Sequence, residues 1–127
     1  MRRGLLWVGI VLGWATGAQS ADIMASAPLF ASATKQKTVV CNFLNSGDVT
    51  LQLTNVSIIA SNGNTFGLSA NTCSSGLASR HSCSATGTVN GLPFSCIAFV
   101  SPSKANMRGN MEMRDADGAV LQTTGIR

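Results

Sequence analysis

The chemically versatile residues of this chain are Cys41, Cys73, Cys83 and Cys96, because a thiol can ligate a metal, act as a nucleophile or oxidise to a disulfide. A zinc reading would group Cys73 and Cys83 with His81. Structural zinc sites, however, pair cysteines roughly two to four residues apart, and no such pair exists here. Nucleophilic catalysis needs a base, and His81 is the sole histidine, placed beside Arg80 in a polar stretch with no Gly-x-Ser-x-Gly signature around any serine. Neither an enzyme nor a resident cofactor is expected. Asp115, Asp117 and Gly118 echo the opening of a calcium loop, yet no glutamate follows at the distance that closes one, so the segment reads as a hairpin turn. Asn55-Val56-Ser57 has the form of a glycosylation sequon, a triplet that also arises by chance in a chain rich in Asn and Ser.

Three methionines form a second chemical set. Met107, Met111 and Met113 fall at odd positions of one alternating stretch, so on a strand their thioethers share a face, and soft sulfur is what selects Cu(I). Arg108, Asn110, Glu112 and Arg114 take the alternate positions, which is the polar-outward pattern of a half-buried strand with Met filling its inner side. Core packing is therefore the first reading of the methionines and a small exported copper-binding carrier the alternative.

An even count of cysteines suits two disulfides if the chain is exported, and its first 20 residues read as an export signal. Arg2 and Arg3 give a positive start, Leu5 to Ala15 an apolar run of 11 residues, and Ala18-Gln19-Ser20 the small residues of a cleavage site. Such a run rises about 16 Å as a helix against roughly 30 Å of hydrocarbon, too short for a stable span. Residues 1–20 are expected to be the signal peptide and 21–127 a single domain, secreted or periplasmic. The formal net charge of +4 falls to +2 once Arg2 and Arg3 are gone, because seven cations then face five acids. Charges that few and that scattered make no phosphate-tracking stripe, which argues against nucleic acid as a partner.

The elements that must position these residues alternate with period 2. Val39, Cys41 and Phe43 form one apolar face, ended by Asn45-Ser46-Gly47-Asp48. Val49, Leu51 and Leu53 form another, and Val56 with Ile58 resumes it out of phase, which predicts a bulge near Asn55. Ser61-Asn62-Gly63-Asn64 predicts a type I′ hairpin turn into Thr65 to Leu68. Further strands are expected within Ile23 to Phe30, at Ser82 to Val89, Phe94 to Val100, Met107 to Arg114 and Ala119 to Thr124. About seven or eight short strands with turns between them describe an all-β, immunoglobulin-like antiparallel sandwich. Of the three possible cysteine pairings, position favours Cys41–Cys96 across the core, since both lie mid-strand, and Cys73–Cys83 around the Ser/Gly-rich loop between them. Loop-closure entropy assigns these roughly 4 and 3 kcal/mol.

Phe43-Leu44-Asn45-Ser46-Gly47, Val49-Thr50-Leu51, Phe66-Gly67-Leu68 and the run from Cys73 through Leu77 to Cys83 resemble the immunoglobulin-like modules of the ASPM–SPD-2–Hydin class, over about 45 residues. Beyond Cys83 the Phe-x-Pro strand of that pattern is missing and Cys96 stands instead. The resemblance implies a non-catalytic module for attachment or assembly, with a protein or cell-envelope component as partner. A pilin-like subunit awaiting a donated strand is a further possibility, opposed by the complete final strand and by the absence of Tyr. Recognition concentrates on loops held by a rigid scaffold, so the Cys73 to Cys83 loop is the expected binding element, with Arg80 and His81 its binding residues.

Overall fold

In a computed structural model, residues 21–127 form ten strands and no helix, every pairing antiparallel. They are β1 (Asp22–Ala25), β2 (Thr38–Asn45), β3 (Leu51–Ala60), β4 (Thr65–Phe66), β5 (Ala70–Asn71), β6 (Gly76–Leu77), β7 (Ser82–Thr88), β8 (Phe94–Ser101), β9 (Met107–Arg114) and β10 (Val120–Ile126). The expected signal peptide, residues 1–20, lies outside the described residues. Among the described residues, no helix is long and apolar enough to cross a membrane.

Two five-stranded sheets make the sandwich. The first runs β1-β8-β3-β4, with β6 also on β3; the second runs β10-β9-β2-β7-β5. Only the β3–β4 and β9–β10 connections stay within one sheet, so every other step carries the chain from one sheet to the other. Alternation sets the inner faces: Val39, Cys41, Phe43 and Asn45 of β2 point inward, as do Cys83 and Ala85 of β7, Phe94, Cys96, Ala98 and Val100 of β8, and Met107, Met111 and Met113 of β9. Phe94 meets Phe66 edge to face, with ring centroids 4.9 Å apart.

The bulge expected near Asn55 is present. The β3–β8 register slips between Thr54 and Ser57, and Asn55 takes a left-handed φ of 51°. The β3–β4 turn differs from the type I′ expectation. Ala60 N–H donates to Asn64 O (2.9 Å), Gly63 N–H donates to Ala60 O (2.9 Å), and Gly63 has a φ of 87° while Asn62 has no positive φ. The loop is therefore three residues long with its single left-handed residue at Gly63, a geometry that needs one glycine where type I′ needs two permissive residues. Two two-residue strands, β5 and β6, account for the excess over the eight expected. The Cys73 to Cys83 segment is thus not a free loop: β6 sits inside it, pairing Leu77 with Leu51 and burying Leu77.

Both disulfides close as expected. Cys41 on β2 and Cys96 on β8 join the two sheets at their centres, with Cα atoms 6.0 Å apart; Cys73 and Cys83, 5.1 Å apart, tie the β5–β6 connection to β7. No free cysteine remains.

Candidate functional site

Arg80 and His81 occupy the tight turn between β6 and β7, and both side chains are exposed. The turn is fixed from beneath by Asn45, a fully buried amide at the end of β2. Its Nδ2 donates to Val49 O (2.7 Å) and Leu77 O (2.9 Å), and its Oδ1 accepts from Gly47 N–H (3.0 Å). The Asn45 backbone reaches the turn itself: its N–H donates to His81 O (3.0 Å), and its carbonyl accepts from Arg80 N–H (2.8 Å). His81 N–H closes the turn on Ala78 O (3.1 Å), and Ser79 Oγ donates to Gly47 O (2.6 Å). A buried side chain with both amide N–H groups and its oxygen engaged is a rigid footing. On it Arg80 adopts a φ of 60°, a left-handed conformation that costs a non-glycine residue roughly 1 kcal/mol. The Nδ1 of His81 lies 2.8 Å from Ser79 O, which orients the ring along the turn.

A groove of about 560 Å³ opens over the outward face of the second sheet; it reaches Ser82, the residue after His81, and neither Arg80 nor His81 lines it. Asn42 and Leu44 of β2, Ser84 of β7, Arg108 and Asn110 of β9, and Thr72 at its margin line it. Asn42 Nδ2 donates to Asn110 Oδ1 (2.8 Å) across the floor. Leu44 stands 42% exposed. Short amides and hydroxyls around one apolar side chain and one guanidinium offer hydrogen bonds to a polypeptide, together with one hydrophobic contact. The groove escaped the sequence reading because its members come from three strands that pair only in the fold. Their outward parity was visible, but which strands would lie side by side was not.

The other candidate residues fall elsewhere. Cys73 and Cys83 are bonded to each other, so neither thiol is available to join His81 around zinc. Asp115 Oδ1 accepts from Asp117 N–H and Ala119 N–H, both at 2.9 Å, while Gly118 supplies a φ of 81°, so Asp115 caps the β9–β10 hairpin turn. Met107, Met111 and Met113 share the inner face of β9, at most 2% exposed, and Ser26 Oγ donates to the Met111 sulfur (3.3 Å). Those sulfurs pack inside the sandwich, where a copper ion would have to displace core contacts to reach them. Asn55 and Ser57 of the sequon lie on the β3 bulge.

No protein-family model matches the chain, and no curated protein matches it. Among solved structures it is similar to a protein described as Thermotoga maritima 1070, with a TM-score of 0.50 at 11% identity over 87% of this chain and 96% of that one. At that identity the likeness speaks to the sandwich fold alone.

Proposed function

We propose that this chain is an exported, non-catalytic module that binds a protein or cell-envelope component through the Arg80–His81 turn and the groove beside it. The observation that supports this reading is Arg80 itself. Glycine would hold a φ of 60° without strain, yet the position carries a long cationic side chain, exposed and set on a footing that Asn45 makes rigid. Strain kept at an exposed position fits a side chain retained for contact. Two closed disulfides fit an oxidising compartment, and secretion or a periplasmic location extends that fit to the expected leader.

The test uses partners captured from the exported fraction with the wild-type protein. The variant Arg80→Gly, His81→Ala relieves the backbone strain and removes both side chains. Affinity should fall roughly tenfold or more, the range seen for a buried arginine at an interface. Thermal stability should stay level or rise by about 1 kcal/mol. Unchanged affinity would remove this turn from the binding surface.

A further inference from the structure

At one corner of the sandwich the end of β10 crosses to β1 of the other sheet: Ile126 bridges Ser26, and Ala25 and Arg127 exchange backbone hydrogen bonds (2.8 and 3.1 Å). Beside that junction lies a cleft of about 380 Å³. Its floor is Met24, Met107 and Ile126, at most 3% exposed, and its rim carries Lys104, Arg108 and Arg127, all three exposed. No acidic residue lines it. Two of the cations are held by neutral carbonyls: Lys104 Nζ donates to Ile23 O (3.0 Å), and Arg108 Nη1 donates to Ala105 O (2.9 Å) and Met107 O (3.0 Å). Asp22, the acid of this corner, accepts from the main-chain N–H of Lys104 (2.9 Å) and forms no ion pair with its ammonium; the ion pair among the described residues is Arg114 with Glu112, at the other end of β9. A carbonyl positions a cation without neutralising it. Both the ammonium and the guanidinium therefore keep their charge, and each has N–H donors left over for a ligand.

We propose that this cleft binds the free C-terminal carboxylate of a partner polypeptide, with the partner's last side chain, an apolar one, resting on the methionine floor. Three cations with no acid among them select an anion, and charge-assisted bonds from ammonium and guanidinium suit a carboxylate. The apolar floor sets this anion apart from a bare phosphate, which would leave it uncovered. A long acyl chain would need an enclosed apolar tunnel, whereas here only the edges of three side chains reach the surface. A carboxylate with one apolar side chain next to it is what the end of a polypeptide presents. Thioethers adapt to irregular shapes, so the floor tolerates more than one terminal residue. The inference does not rest on the Arg80–His81 reading. Arg108 also lines the groove on the outward face of the second sheet, so the test draws on Lys104 and Arg127, which line the cleft and not that groove.

The probe is a short Gly/Ser peptide ending in leucine, titrated into isotope-labelled protein from the exported fraction with its disulfides intact and followed by NMR. Amide shifts should centre on Met24, Ala105, Met107 and Ile126. Amidating the peptide's C-terminus should weaken binding roughly tenfold or more, the equivalent of one lost charge-assisted bond, and added salt should weaken the acid more than the amide. The double variant Lys104→Glu, Arg127→Glu should weaken the acid by a similar factor with little change in melting temperature, since both side chains are exposed. Lys104→Gln, Arg127→Gln serves the same purpose if the charge reversal folds poorly, and Lys104→Arg, Arg127→Lys should keep the binding. No shifts at any peptide concentration, equal binding of acid and amide, indifference to both charge-removing variants, shifts centred on the Arg80–His81 turn, or tighter binding of decanoate than of the peptide would overturn the proposal.

Discussion

Gln36 shows how much one side chain can organise. It is 1% exposed and uses its whole amide: Oε1 accepts from Ala31 N–H (3.0 Å) and Ser32 N–H (3.1 Å), and Nε2 donates to Asn90 O (2.7 Å) and Leu92 O (2.6 Å). Four backbone groups from two irregular connections are satisfied by a residue that sequence patterning passes over. Gln36→Leu keeps the bulk and strands those groups, so it should destabilise the fold by about 2 kcal/mol or more in denaturant titration. A loss below about 0.5 kcal/mol would show that water reaches the stranded groups. The methionines, by contrast, were legible. Met107, Met111 and Met113 announce an inner face through spacing alone, because strand period and burial obey the same parity. Gln36 was not, since its Nε2 partners lie 54 and 56 residues away and only folding brings them near.

At the scale of elements, the long strands were readable because each presents three or more alternations. β9 begins and ends at the residues its alternation predicts, and β3 keeps its predicted bulge. β5 and β6 were invisible, since a two-residue strand has no period and owes its existence to what it docks on. β6 docks Leu77 opposite Leu51, and Cys73–Cys83 holds that excursion against β7. Replacing both members of this staple with serine should therefore do more than lengthen a loop. The expected cost is about 3 kcal/mol from closing 10 residues of separation. Faster amide exchange at Gly76, Leu77 and the Arg80–His81 turn should accompany it, read by hydrogen exchange. Uniform loss of protection across all strands would instead show that the staple supports the whole sandwich.

For the molecule as a whole, the fold class and both pairings followed from residue types and positions, whereas the strand order did not: β8 beside β3 and β9 beside β2 are long-range choices made by packing. The Cys41–Cys96 bond, seated where those two central pairs face each other, has a mechanical consequence. Under tension applied at the two ends of the domain, chain can be drawn out only up to Cys41 from one side and from Cys96 on the other. The 55 residues of separation between them stay locked behind a covalent shunt that carries the load. Single-molecule pulling should give an unfolding step that lengthens on reduction by about 190 Å, at roughly 3.4 Å per residue released. Equal steps with and without reductant would mean that the bond lies outside the path of force. If the bond does carry it, a module tethered at both ends to a moving envelope or filament would yield slack only from the residues before Cys41 and after Cys96, while the segment between the two cysteines stays closed.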